Sequence, residues 1–260
     1  PEGFVVSANN DPSGLSFDGS IANDGLYIGG PWDIGFRAHR IDGRLSALVD
    51  ADAVTVESMA SIQADVYSSG GARWAPHIIE ALEYAQALSA MGAEESDESD
   101  LRLVMIYQAH QSRLDETIER LENWLASGNQ ARSGVETVYN TPSQQDRTDA
   151  VATTIFNFWL SAFKQRLVGG LELIPAHRLT DDNTLGRFMD GLLSGRGAGN
   201  PSSLATYEEA IAESTLFDDV TTPEVERSRE LIVLALLDGL DAAAQSPIER
   251  GVGGFGTDQM

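Results

Sequence analysis

The sequence predicts a mainly α-helical domain with a short β edge at its N-terminal end. Apolar residues recur at intervals of three and four in several runs between residues 45 and 250, which is the pattern of helices that bury one face. Residues 1–36 are instead rich in Gly, Asn, Asp and aromatic residues, which indicates short strands and turns. With 260 residues, of which 42% are apolar, the chain is large enough for a sizeable core.

The first half of the chain predicts one strand followed by helices. Residues 2–10 predict a strand that runs into a turn at residues 11–14. Thr55 and Ser58 stand at the front of an apolar-periodic run that extends to Val66, which predicts a capped helix. Pro76 is expected in the first turn of the next helix, where a missing N–H costs nothing. Residues 101–125 predict one long helix or two abutting helices, with Gly128 as the stop.

The second half predicts a buried central helix and one further long helix. Residues 150–171 are apolar on nearly all sides, which is typical of a helix surrounded by other elements. Residues 94–100 predict an acidic, solvated loop, and residues 129–147 and 192–203 predict polar or glycine-rich loops. The last helix is expected over residues 223–244. Its predicted core face consists of Leu231, Leu234, Ala235, Leu237 and Leu240.

The charge balance and the absence of cysteine exclude several classes of function. The chain has 40 acidic and 17 basic residues, a net charge of −23, and it has no cysteine. Disulfides, Cys-ligated metals and thiol nucleophiles are therefore excluded, and so large an excess of acid disfavours nucleic-acid binding. No apolar run approaches a membrane span. Lys164 is the only lysine, a composition typical either of a halophilic protein or of an acidic protein from a mesophile.

Three local strings carry a resemblance to a known family. They are Val-Ser-Ala-Asn-Asn-Asp-Pro at residues 6–12, Trp-Asp-Ile-Gly-Phe-Arg-Ala-His-Arg-Ile at residues 32–41 and Glu-Ser-Met-Ala-Ser-Ile-Gln-Ala-Asp at residues 57–65. In order and separation they resemble the penicillin acylase family of N-terminal nucleophile hydrolases. The chain is similar to the middle part of the β subunit of that family, and the strings at residues 156–160 and 255–260 extend the similarity.

The resemblance implies a fold and a domain arrangement. Residues 1–36 are expected to form an edge of the αββα sandwich that carries the catalytic machinery of the family. Residues 45–250 are expected to form a helical domain that walls the substrate cleft, and the glycine-rich residues 251–260 to return to the core. Family members are precursors that cleave themselves to expose a Ser whose own α-amino group serves as the base. Pro1 has no hydroxyl, so we expect the nucleophile upstream and the isolated chain to be inactive.

The resemblance also implies roles for particular residues. Asn9 matches the oxyanion-hole Asn, and Arg37 matches the arginine that orients it; a turn cap and a plain ion pair are the alternatives for these two residues. Trp32 and Phe36 are expected to line an acyl pocket. Asp24 lies near the position of a carboxylate ligand for a structural calcium, although the local spacing differs. Arg40, one turn beyond Arg37, is expected to form a structural ion pair.

The function implied is hydrolysis of an amide through an acyl-enzyme. The substrates implied are N-acyl compounds such as β-lactam side-chain amides, acyl-homoserine lactones or cyclic lipopeptides, and no cofactor is needed for the chemistry. The expected partner is the rest of the same precursor, and the resemblance implies an exported, periplasmic or extracellular protein. The alternative from the residues alone is a helical binding or scaffold domain without catalysis.

Overall fold

The computed structural model describes residues 3–10, 33–92, 97–139, 141–169, 182–195, 207–208, 213–214, 217–218 and 222–245. The helices in this part are α1 (Phe36–Asp50), α2 (Val56–Gln63), α3 (Ser69–Met91), α4 (Glu98–Ala109), α5 (Gln111–Ala126), α6 (Gln144–Gly169), α7 (Asp182–Gly195) and α8 (Ser228–Gln245). Two short antiparallel strands, β1 (Tyr207–Glu208) and β2 (Glu213–Ser214), pair with each other. The prediction of a mainly helical domain is confirmed.

Helix α6 is buried along one face only, so the prediction of a central helix buried on nearly all sides is wrong. Ile155, Trp159 and Phe163 are buried, whereas Asn157, Ser161 and Gln165 on the opposite face are exposed. The helix packs against α5 and α8, while α3 packs against α4, α5 and α8.

A continuous row of rings runs along α6: Trp124 contacts Phe156 at 5.8 Å between centroids, Phe156 contacts Trp159 at 5.8 Å, and Trp159 stacks on Phe163 at 5.0 Å. Each such pair contributes about 0.5–1.5 kcal/mol beyond the burial of its area. The Trp124–Phe156 contact therefore joins α5 to α6, while the other two pairs lie within α6.

Local signals set several helix ends where the sequence predicts them. Thr55 and Ser58 form a reciprocal capping box at the start of α2, with each side chain accepting from the backbone N–H of the other residue. The stretch 101–125 resolves into two helices, because the chain leaves helical geometry at His110 between α4 and α5. Gly128 has a φ of +98°, which glycine adopts without strain, and it follows the C-cap of α5.

Pro76 is not in a first turn, so that prediction is wrong. It is an interior residue of α3, which begins at Ser69 and is capped by the side chain of Ser68. An interior proline costs a helix about 3 kcal/mol. Trp74, Ile78 and Leu82 are all buried, and each contributes roughly 1.5–3 kcal/mol when removed from water. Packing on this face therefore outweighs the cost of the proline.

The predicted bounds of two loops and two helices are also wrong. Helix α6 begins at Gln144 rather than near residue 150, so residues 144–147 are not part of a loop. Ser143 accepts from the N–H of Asp146 at 3.1 Å and caps this earlier start.

Residues 192–195 belong to α7, because Leu192 and Leu193 continue its buried face, and residues 196–203 lie outside the described part. Helix α8 begins at Ser228 rather than near residue 223. Thr222 donates its hydroxyl to the Glu226 carboxylate at 2.8 Å, and such local bonds compete with helix formation. All residues of its predicted core face are buried except Leu234, which is half-buried.

The acidic stretch 94–100 is partly a helix start rather than a loop. Asp97 accepts a hydrogen bond from the N–H of Asp100 at 2.9 Å and so caps α4, where negative charge is favourable. Ser99 is buried and donates to Glu230 of α8 at 2.7 Å. Residues 93–96 lie outside the described part.

The predicted strand over residues 2–10 does not form in residues 3–10. Gly3 and Asn9 have φ values of +81° and +59°, which an extended strand does not accommodate, and no described segment pairs with these residues as a neighbouring strand. The segment is instead an irregular chain with Ala8 buried and Asn9 exposed. No helix within the described ranges is long and apolar enough to cross a lipid bilayer.

Candidate active site

Asn9 and Arg37 lie side by side, although 28 positions separate them. The Nη2 atom of Arg37 donates to Oδ1 of Asn9 at 2.6 Å, and both residues are exposed. The guanidinium only donates hydrogen bonds, so the atom it contacts is the amide oxygen. The Nδ2 group of Asn9, with its two donors, therefore lies on the other branch of the side chain. A cation on the oxygen also polarises the amide and strengthens those donors.

The turn before α1 holds the backbone of both residues. The N–H of Asp33 donates to the Asn9 carbonyl at 2.8 Å. The Asp33 carboxylate accepts from the N–H of Gly35 at 3.1 Å, and Gly35, with a φ of +99°, is the N-cap of α1. Arg37 therefore stands in the first turn of a helix whose start is bonded to the Asn9 segment. The positive φ of Asn9 itself is one that asparagine tolerates better than most residues do.

Arg40 forms the structural ion pair that the sequence predicts. Its Nε lies 2.7 Å from Oδ2 of Asp65, and Nη1 of Arg44 lies 2.9 Å from the same atom. The Arg40 guanidinium also covers the Tyr67 ring at 4.2 Å. The second and third family-like strings thus meet at Asp65, and the contact fixes α1 against the segment that follows α2.

The protonation of Asp65 is consistent with this role. Burial raises the pKa of Asp65, but hydrogen bonds from Arg40, Arg44 and the N–H of Tyr67 lower it by more, so the pKa lies below its ordinary value. The carboxylate is therefore charged at neutral pH and holds two arginines of α1 in place.

Phe36 belongs partly to the core. It is half-buried, and its ring meets Trp74 of α3 edge-on at 5.2 Å and 63°. Its role in an acyl pocket stays a prediction. The other two predicted residues, Trp32 and Asp24, lie outside the described part of the chain. Among the residues that the structure describes, no three His, Asp or Glu side chains are grouped so that they could hold a metal ion.

Helix α7 adds contacts that sequence reasoning missed. Arg187 donates from Nη2 to the carbonyl of Asp33 at 2.6 Å. Asp190, one turn later and 1% exposed, accepts from the Arg73 guanidinium and from the Trp74 indole N–H, the latter at 2.9 Å. No local pattern marks these residues, because their partners are more than a hundred positions away.

Comparison with known proteins adds a family to this geometry. A sequence model described as penicillin amidase matches residues 1–256, which is nearly the whole chain. The chain belongs to the penicillin amidase family. Searches of curated proteins and of solved structures give no significant match. Membership of the penicillin amidase family implies an amide hydrolase.

Proposed function

We propose that this penicillin amidase family chain supplies an oxyanion-hole donor to an acyl-enzyme amide hydrolase. The donor is the Nδ2 group of Asn9, and Arg37 orients it. The observation that supports this most directly is the 2.6 Å bond from Arg37 to Oδ1 of Asn9. Because the oxygen accepts this bond, the Nδ2 group is the part of the side chain that can donate to an oxyanion.

The proposed reaction is acyl transfer in two steps. A Ser nucleophile, supplied by another segment of the same precursor and not by these residues, attacks the amide carbonyl as its α-amino group takes the proton. The carbonyl oxygen becomes an oxyanion, which accepts a hydrogen bond from Asn9. The carbon–nitrogen bond then breaks, the amine leaves with a proton, and water hydrolyses the acyl-enzyme. On this proposal the chain is inactive without its partner segments, the rest of the precursor.

The same proposal covers substrate and location. The substrates are N-acyl compounds such as β-lactam side-chain amides or acyl-homoserine lactones, and Trp32 and Phe36 line the acyl pocket. The protein is exported, and its core fold is the αββα sandwich, with residues 1–36 at an edge of it. The chemistry needs no cofactor, and a structural calcium near Asp24 is a separate proposal.

The test uses the intact, processed enzyme expressed from its complete reading frame. A panel of chromogenic anilides with aromatic and aliphatic acyl groups, penicillins and acyl-homoserine lactones identifies a substrate. Two variants then isolate the donor. Asn9→Asp keeps an acceptor for Arg37 but has no N–H group, and Asn9→Gly removes the side chain while tolerating the positive φ.

Both variants are expected to lose roughly 10²–10³ in kcat, which is the typical effect of removing one oxyanion donor. The matched control is Asn123→Asp, which makes the same chemical change at an exposed position of α5 and is expected to leave kcat unchanged. Full activity of Asn9→Asp would show that the side chain donates nothing to the transition state. No turnover on any substrate by a correctly processed wild-type enzyme would favour the scaffold alternative.

A further inference from the structure

We propose that Arg187 of α7 is a positioning residue for the active site, acting on Asn9 through the backbone of Asp33. The proposal rests on the function proposed for Asn9. The residues involved are distant in sequence, since Arg187 follows Asp33 by 154 positions. The link therefore connects the helical part of the chain to the segment that carries the oxyanion donor.

The link consists of two consecutive hydrogen bonds. Arg187 donates to the carbonyl oxygen of Asp33 at 2.6 Å, and the N–H of Asp33 donates to the carbonyl oxygen of Asn9 at 2.8 Å. These two groups belong to the peptide planes on either side of the Asp33 Cα. Arg187 thus restrains the peptide plane that contains the Asp33 carbonyl. The plane that contains the Asp33 N–H in turn restrains the backbone of Asn9. A hydrogen bond from a charged donor such as a guanidinium is stronger than a neutral one.

Helix α7 is itself firmly held, so that Arg187 acts from a fixed support. Asp190, three residues further along the same helix, is 1% exposed and binds both Arg73 and the Trp74 indole of α3. Beside Arg187, an added Cβ on Gly186 would lie 3.3 Å from Cδ1 of Ile34, so the helix also packs closely on the residue after Asp33. Packing against α7 and the hydrogen bond to Asn9 therefore both limit the movement of the Asp33 turn.

Such support matters because Asn9 is exposed and irregular in conformation. An oxyanion donor acts only when it lies about 2.7–3.1 Å from the developing charge. A displacement of roughly 1 Å can cost up to 10² in rate. Removing the Arg187 bond lets the turn shift without removing any group from the reaction, so we expect a smaller loss than for Asn9 itself.

The experiment measures kcat and KM for Arg187→Met, Arg187→Lys and the double variant Asn9→Gly/Arg187→Met in the intact, processed enzyme. Methionine keeps much of the apolar stem and removes the donors. The expected loss in kcat for Arg187→Met is about tenfold with little change in KM, since the donor acts in the transition state. Arg187→Lys keeps a cationic donor and is expected to recover part of the loss.

The double variant separates positioning from a general structural effect. If Arg187 acts through Asn9, its removal should cost less than twofold once the Asn9 side chain is gone, because interacting residues are not additive. The control Arg166→Met breaks a partly exposed Arg166–Asp238 pair of 2.6 Å between α6 and α8, and it should leave kcat unchanged.

The outcomes also separate this inference from the proposed function. If Asn9→Gly lowers kcat but Arg187→Met does not, the positioning role is wrong and the oxyanion role stands. A tenfold loss from Arg187→Met that persists in the Asn9→Gly background shows that Arg187 acts elsewhere. If Asn9→Gly keeps full activity, the function proposed for Asn9 is wrong, and the positioning role that depends on it is wrong as well.

Discussion

Replacing Gly239 with Ala tests how closely α6 and α8 approach. A Cβ built on Gly239 would lie 2.8 Å from the carbonyl carbon of Phe158, 2.8 Å from the N of Trp159 and 2.9 Å from the Phe158 oxygen. Ordinary contacts of a Cβ begin near 3.4 Å, so the two helices must separate locally by about 0.6 Å. All three atoms belong to the backbone of α6, and no side-chain rotation can relieve the contact.

Two opposing terms set the magnitude. Overpacking a well-packed interior typically costs about 1–3 kcal/mol, and contact with backbone belongs at the upper end of that range. Alanine in place of glycine inside a helix raises the free energy of unfolding by about 1 kcal/mol. We therefore expect Gly239→Ala to lower the free energy of unfolding by roughly 2 kcal/mol. For a domain of about this size, the corresponding fall in Tm is roughly 4–8 °C.

Urea unfolding of the purified enzyme, followed by tryptophan fluorescence, measures this change. Trp159 is one of the four tryptophans that contribute to this signal, and it lies fully buried at the contact, where its indole N–H donates to the carbonyl of Ile232 of α8 at 3.2 Å. The control is Gly191→Ala in α7, where an added Cβ meets nothing within 4 Å, so the variant should gain up to about 1 kcal/mol. A Gly239→Ala protein as stable as wild type, with Gly191→Ala behaving as expected, would refute the close approach.

Two further predictions concern the contact between α1 and Asp65 and the start of α2. Asp65→Asn should cost about 1–2 kcal/mol at pH 7, because Arg40 and Arg44 lose a charged acceptor. Because the pKa of Asp65 is lowered in the folded protein, its contribution is fully present above the ordinary value of 3.8 and is lost as pH falls through the lowered pKa. The unfolding curves of wild type and variant should therefore stay apart at neutral pH and approach each other progressively below pH 3.8. Thr55→Ala removes half of the capping box and should cost about 1 kcal/mol, seen as faster amide hydrogen exchange in α2 but not in α6. Equal exchange in both proteins would show that the box contributes nothing.

Local patterns were enough for several helix ends, and the family-like strings predicted one side-chain contact. The capping box of α2 and the stop at Gly128 depend on residues within a few positions of one another, and the structure has them where the sequence predicts them. The contact between Asn9 and Arg37 was expected from family-like strings, and the structure brings them to hydrogen-bonding distance. Their catalytic roles stay proposals, as do the roles of Trp32, Phe36 and Asp24.

Other features required the packed molecule. Pro76 looked like a helix start because its local cost is about 3 kcal/mol, but burial of neighbouring side chains in α3 exceeds that cost. Residues 3–10 looked like a strand from composition, yet a strand needs a neighbour to accept its hydrogen bonds, and none of the described segments provides one.

The amino-acid sequence by itself determined that this protein is helical, strongly acidic and similar to the penicillin amidases, because periodicity, charge and short motifs are properties of neighbouring residues. Only the tertiary structure decided that Arg187 reaches Asp33 and that Asp190 joins α7 to α3. Those bonds join residues more than a hundred positions apart, and which of them meet depends on how the helices pack as a whole.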